Sequence, residues 1–350
     1  TMGGNNASVD WSRVERIKAT DASGAAHQTT WFGAPAAPGN LKNNSMFLPW
    51  GKAGSSAGGK EALEVKELPR SLTILGGGVI GVEFASYFNS LGVKVTVVEM
   101  MDEILSGMDR ELAALLREEY SKKGVSFLLN RKVAAVKEAD GEVVVEFEED
   151  GVQPVASEKL LLSVGRRPVV KGFGLENLNL EVTKQGYPLV NTCMQTSIPS
   201  VYVCGDLTGF SLLAHTAVCE AEVAAHTLLG KSHSMSYRAI PGVVYSNPEF
   251  AGVGYTEEAA MKAGIDYVVR KMPMTYSGRF VAENEALSGL CKLILSSDGS
   301  VLGAHLLGNP ASELITLAAM AIQMGLKADE WKRVVFPHPT VSEIFKEVLM

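Results

Sequence analysis

A chain of 350 residues with 46% hydrophobic and 20% charged residues has an ordinary globular composition and is too long for one typical core, so two or three domains are expected. The formal net charge of −7 argues against a surface built for nucleic acid, which requires clustered Lys and Arg. No apolar run approaches the roughly 20 residues that cross a bilayer, and "TMGGNNASVDW" has neither the basic start nor the apolar stretch of a secretion signal.

Residues 1–58 are rich in Gly, Ala, Pro, Asn and Ser and hold no sustained period of 2 or 3.6, so short strands and loops are all that is expected there. "GGKEALEVKELPRS" is a short helix pattern closed by Pro69. The pattern then sharpens. "SLTILGGGVIGVEFASYFNSLGVKVTVVEMM" reads as a strand at Leu72–Leu75, a glycine turn, a helix at Val79–Ser90 and a second buried strand at Val93–Val98. "DRELAALLREEYSKKG" is an amphipathic helix ending in Lys and Gly. "VSFLLNRKVAAVKEADGEVVVEFEEDG" supplies strands with a hairpin at Asp140-Gly141, and "EKLLLSVGRRP" closes with a buried strand and a turn. Further on come a strand at Val201–Cys204, a Gly-Asp turn and a long alanine-rich helix. From about Tyr237, the strands "CKLILSS" and "SVLGAHLLG" and the apolar helix "SELITLAAMAIQMG" make the mixture of an α+β domain.

Gly76, Gly78 and Gly81 form a G-x-G-x-x-G between strand and helix, and Glu99 ends the next strand. That spacing alone is a weak signal, but here its context is met on both sides. One glycine permits the tight turn, the second lets a pyrophosphate approach the backbone, and the third packs helix on strand. The helix N-terminus offers N–H groups and partial positive charge to phosphate. Glu99 is expected to accept hydrogen bonds from an adenosine ribose and to repel a 2′-phosphate, which favours NAD over NADP. A turn that merely connects strand and helix is the weaker alternative.

Cys193, Cys204, Cys219 and Cys291 form no paired motif, so neither a zinc site nor a disulfide framework is expected; buried small apolar side chains in a reducing, cytoplasmic setting are the default.

Together "GGGVIGVEFA", "SVGRRP", "VYVCGDLTG", "LAHTA" and "FPHPTVSE" resemble, in order over residues 57–350, the flavin-dependent pyridine nucleotide–disulfide oxidoreductases. The resemblance implies an α/β fold, with FAD/NAD(P)-binding Rossmann-like domains and a C-terminal α+β dimerisation domain. The boundaries it suggests are an incomplete remnant of the FAD-binding domain over 1–70, an NAD-binding domain over 71–168, a second part of the FAD-binding or central domain over 169–236, and an interface domain over 237–350. It places Gly205 and Asp206 on the flavin and its ribityl chain, Leu213, Ala214 and His215 beside the ring system, and Gly165 and Arg166 near the nicotinamide. It makes His338 the general base toward a dithiol, reaching into the partner subunit of a homodimer, with Glu343 fixing its tautomer. Pro337 and Pro339 stiffen that loop. The helix "SELITLAAMAIQMG" and the strand "SVLGAHLLG" are expected to build the homodimer interface.

The chain departs from the family pattern near its start. The family opens with a further glycine fingerprint for FAD and a Cys-x4-Cys pair ending near a Lys. Residues 1–58 contain no cysteine and no such fingerprint, and Glu83 loses its usual lysine partner. An incomplete portion of a longer enzyme is the preferred explanation. The activity implied is oxidation of lipoyl dithiols on a carrier protein of a 2-oxoacid dehydrogenase or glycine cleavage complex, with electrons passing through a disulfide and FAD to NAD. A reductase of a related disulfide and a non-catalytic NAD-binding, dimerising protein are the alternatives.

Overall fold

The computed structural model describes residues 62–166, 168–170, 174–284 and 288–350, with the strand backbones Ile17–Thr20, Ala26–Thr29 and Ser55–Ala57. Most of the reading of residues 1–70 as a domain remnant therefore lies outside the described residues. Two units divide the chain, one of Thr1–Ser45 with Arg167–Met235 and the other of Met46–Arg166 with Ser236–Met350.

Strands β1 (Ile17–Thr20) and β2 (Ala26–Thr29) of the first unit pair antiparallel. The second unit opens with β3 (Ser55–Ala57), β4 (Ser71–Leu75), helix α1 (Val79–Ser90), β5 (Lys94–Val98), helix α2 (Arg110–Lys122) and β6 (Ser126–Leu128). Then follow β7 (Val133–Ala139), β8 (Glu142–Phe147), β9 (Val155–Ser157) and β10 (Lys159–Leu162). Strands β3, β10, β4, β5 and β6 lie in that order in one parallel sheet. Their apolar runs are continuous because α1 and α2 pack on the sheet: Leu72, Ile74, Val95 and Val97 are buried against Val82, Ala85, Phe88, Leu112 and Leu116. Each such side chain removed from water contributes about 1.5–3 kcal/mol. The strands β7, β8 and β9 form a separate antiparallel sheet before the chain returns as β10. Its hairpin turns at Asp140 (φ 53°) and Gly141 (φ 79°), the left-handed pair such a turn needs.

In the first unit, helix α3 (Ala214–Leu228) follows a 3₁₀ turn at Gly205–Thr208. The strand expected at Val201–Cys204 is not formed; Tyr202 makes one isolated bridge to Gln195. An apolar run becomes a strand only where a neighbour continues the ladder, and among the described residues of this unit that single bridge is what it finds.

The C-terminal half of the second unit contains β11 (Gly242–Val244), β12 (Phe250–Gly254), α4 (Glu257–Lys262), β13 (Tyr267–Pro273), α5 (Gly278–Glu283), β14 (Leu290–Ser296), β15 (Val301–Leu307), α6 (Ala311–Met324), α7 (Ala328–Trp331) and α8 (Ile344–Leu349). The sheet runs β11-β12-β15-β14-β13, all antiparallel. Helix α6 turns Leu314, Ile315, Ala318, Ala321 and Ile322, a stripe at helical spacing, onto the core. Strand β15 is paired on both edges and nearly all its side chains are buried inside this chain, so it leaves no face for a partner, contrary to expectation. The outer face of α6, with Leu317, Met320 and Met324, remains exposed.

The two halves of this unit share one core, in which Val244, Phe250 and Leu307 join the residues under α1 and α2. Tyr120 of α2 donates from its hydroxyl to the Asn247 carbonyl (3.1 Å) and accepts the Asn247 N–H (2.9 Å).

Candidate functional site

Parallel strands β4 and β10 end side by side, where the sheet order changes direction, which is where open α/β sheets take ligands. Gly76 (φ 101°) follows β4, and a Cβ there would lie 2.5 Å from the Ser163 carbonyl oxygen. A Cβ on Gly81 would lie 1.9 Å from the Gly76 oxygen. Those two glycines are therefore packing requirements. Gly78 differs: a Cβ there would meet nothing within 4 Å, and as N-cap of α1 it provides no side-chain cap, so the helix end opens outward. Ser163, which sequence reasoning missed, ties β10 to the turn by donating its hydroxyl toward the Leu75 (2.8 Å) and Gly76 (3.0 Å) oxygens.

Glu99 accepts the Gly77 N–H at 2.6 Å and the Met101 N–H at 2.8 Å. Each carboxylate oxygen keeps a further lone pair for an incoming hydroxyl. Met100 and Met101 are exposed beside it, and the Glu99 carbonyl accepts the Arg131 N–H at 2.9 Å. Gly165 (φ 109°) and Arg166 follow β10 on the same edge, both exposed. Glu83 does not stand unpaired: its Oε1 accepts the Tyr245 N–H at 2.9 Å. Burial pushes its carboxyl above the usual range, against that hydrogen bond.

His338 sits outside the apolar core with its side chain 82% exposed. Its Nδ1 lies 2.9 Å from Glu343 Oε1, and Glu343 Oε2 accepts the Thr340 N–H at 2.9 Å. The Thr340 N–H, then the imidazole, hold the Glu343 carboxyl below its usual range. A carboxylate only accepts, so Nδ1 carries the hydrogen and the lone pair of the neutral ring is on Nε2. Thr340 donates to the Pro337 carbonyl at 2.7 Å, and Ser277 reaches the Thr340 carbonyl at 3.1 Å, so the loop is braced from both sides.

In the other unit, Gly205 (φ 73°) starts the 3₁₀ turn, and a Cβ there would touch Ala217 of α3 at 3.3 Å. Leu213 is the N-cap of α3 with no side-chain cap, and Asp206, Ala214 and His215 are exposed beside that end. The turn is held by Glu220, a fully buried acid that accepts the Gly205 N–H at 2.5 Å and faces the Thr208 hydroxyl at 3.2 Å. Its sequence signal is an acid four residues after Thr216, on the helix face that otherwise buries Val223 and Ala224.

The cysteines only partly meet expectation. All four are free thiols, but only Cys291 is buried; burial raises its pKa and keeps it unreactive. Cys219 lies exposed on α3, and Cys193 sits in a turn whose thiol meets the His233 carbonyl at 3.5 Å. Among the described residues, no group of three or more His, Cys, Asp or Glu is placed to hold a metal ion, and no helix is long and apolar enough to cross a membrane.

The family profile described as pyridine nucleotide-disulphide oxidoreductase matches residues 26–221, and the profile for the dimerisation domain of the same family matches 240–349. The chain belongs to the pyridine nucleotide-disulphide oxidoreductases. It is similar to the dihydrolipoyl dehydrogenase of Geobacillus stearothermophilus, with 36% identity over 288 residues that cover 82% of this chain and 61% of that protein. It is 41% identical to the Thermus scotoductus dihydrolipoyl dehydrogenase, covering 81% and 62%, and 37% identical to the human mitochondrial one, covering 82% and 57%. The chain thus spans about three fifths of the length of these relatives. Among solved structures, LpdA of Mycobacterium tuberculosis superposes with a TM-score of 0.81 at 26% identity, covering 95% of this chain and 72% of that one. The flavoprotein disulfide reductase RclA of Escherichia coli gives 0.77 at 30%, covering 84% and 67%.

Proposed function

We propose that this chain supplies the NAD-binding, dithiol-activating and dimerising parts of a dihydrolipoyl dehydrogenase, which oxidises carrier-bound dihydrolipoamide through a disulfide and FAD with reduction of NAD. Residues 71–168 are the NAD-binding domain, 169–236 the second part of the flavin domain and 237–350 the interface domain of a homodimer. The single observation that carries the reading is the His338–Glu343 pair at 2.9 Å, with Nε2 left outward. A stiffened imidazole whose basic nitrogen faces solvent suits a residue that takes a proton from a substrate presented by another subunit.

The open side of Gly78, the uncapped start of α1 and the Glu99 oxygens fit a dinucleotide pyrophosphate and its ribose. Asp206 and the uncapped α3 N-terminus fit a flavin ribityl chain and ring edge. When bound, FAD and NAD supply two-electron transfer. The residues of this chain do the rest: His338 accepts the dithiol proton at Nε2, and Glu343 stabilises the imidazolium that forms. The exposed α6 face with Leu317, Met320 and Met324 suits the homodimer contact. A lipoylated carrier protein is the expected partner. Four free thiols suit a reducing, cytoplasmic setting.

One observation favours a second reading, an NAD-binding and dimerising protein without dithiol chemistry: the sequence contains no Cys-x4-Cys pair. The visible spectrum of the protein purified from its source separates the two. A flavin band bleached by NADH supports the enzyme, and a colourless protein supports the second reading.

A further inference from the structure

Lys292 is a charge in the middle of the apolar strand β14, with only 2% of its side chain exposed. Its ammonium is ion-paired with three carboxylates, Asp109 at 2.8 Å, Glu111 at 3.0 Å and, closer still, Glu257, and it donates a hydrogen bond to Glu111. Glu257 lies in the first turn of α4, in the C-terminal half; Asp109 and Glu111 lie at the start of α2, in the nucleotide-binding half. Lys271 of β13 adds a second bridge to Glu111 at 2.7 Å. His305, paired in register with Lys292, donates from Nε2 to the Tyr255 carbonyl at 2.9 Å. Desolvating such a set costs more than packing an apolar side chain of the same size, so the cluster specifies an arrangement rather than maximal stability.

Asp109 has two tasks. Besides facing Lys292 it caps α2, its Oδ1 accepting the Leu112 N–H at 3.2 Å, and it is fully buried. It ends the loop 102–108, and that loop presses on the glycine turn. Leu105 donates its N–H to the Gly77 carbonyl at 2.8 Å, and Ile104 lies where a Cβ on Gly77 would come within 3.0 Å. Glu103 of the same loop is anchored to Arg117 of α2 at 2.8 Å.

We propose that Lys292 is a positioning residue for the nucleotide turn: it fixes Asp109, and through residues 102–108 the placement of the Gly77 carbonyl, so that the C-terminal half sets the geometry in which the turn receives NAD(H). This rests on the turn being an NAD(H) site. A cluster that only glues the halves together would change stability and leave both the turn and its affinity alone.

The test uses the 350-residue chain as wild type, Asp109→Asn, Lys292→Met and the double variant. Asparagine caps a helix as well as aspartate, so Asp109→Asn removes the charge while keeping α2 capped, and it remains informative if Lys292→Met fails to fold. NADH titration followed by fluorescence should show roughly tenfold weaker binding in each folded variant. The double variant should be no weaker than the worse single one. Amide hydrogen exchange at Leu105, which does not depend on any cofactor, should speed up in the same variants. Folded variants with unchanged Leu105 exchange overturn the proposal, as does unchanged NADH affinity. A wild type that binds no NADH, with Leu105 exchange still faster in the variants, keeps the positioning link and defeats the NAD reading instead.

Discussion

His338 Nδ1 and Glu343 Oε1 are 2.9 Å apart, and the Thr340 N–H holds the other carboxylate oxygen at 2.9 Å, so one acid orients both the imidazole and the loop that carries it. His338→Gln removes the base. Dithiol oxidation by the flavin-loaded protein should fall by about 100-fold or more, while NADH oxidation by artificial acceptors is spared. Equal loss of both would remove His338 from its role. Glu343→Gln should reproduce part of the loss by releasing the ring.

At the glycine turn, Glu99→Arg replaces the acceptor of the Gly77 and Met101 N–H groups with a cation. NADH affinity should drop, with tolerance for the 2′-phosphate of NADPH rising. Unchanged NADH affinity contradicts the placement. Gly81→Ala should instead fail to fold or lose several kcal/mol in a urea titration, because its methyl would lie 1.9 Å from the Gly76 oxygen.

His305 is buried and donates to the Tyr255 carbonyl; burial, opposed by Asp109, holds its pKa below the ordinary 6.5. The unfolded chain therefore binds the proton more readily. The stability His305 contributes is complete above about pH 6.5 and is lost as pH falls through its lower folded value. Asp109, Lys292 and Glu258 also act on this ring. Urea midpoints of wild type should decline on acidification through that window, and His305→Gln should flatten the decline. Parallel curves would exclude His305 as the source.

Glu220→Ala leaves the buried Gly205 N–H and Thr208 hydroxyl without this acceptor. A loss of about 1–3 kcal/mol is expected by chemical denaturation, with Glu220→Gln milder. A loss below 0.5 kcal/mol would mean water replaces the carboxylate.

The elements around the glycine turn were legible because their signals are local. A G-x-G-x-x-G between an apolar strand and an amphipathic helix gave α1 at Val79–Ser90 as expected, and Asp140-Gly141 turned the hairpin where its φ preferences require. The His338–Glu343 pair was legible for the same reason, its members lying five residues apart. Lys292 was not. Inside "CKLILSS" a lysine reads as a solvated position, and its partner Glu111 is 181 residues away. The acceptor role of Glu83 was not legible either, since Tyr245, whose N–H it accepts, is 162 residues on. The run Val201–Cys204 failed as a strand because a ladder depends on neighbours that local pattern does not contain.

The most direct measurement is an equilibrium titration of NADH into the purified 350-residue chain, wild type beside Gly78→Val. A Cβ at position 78 would meet no atom within 4 Å beyond its chain neighbours, so a side chain there projects into the open side of the turn. Saturable one-to-one binding by wild type, lost in a folded Gly78→Val, is the expected result. Equal binding by both, or none by wild type, contradicts the assignment of this turn as the NAD(H) site.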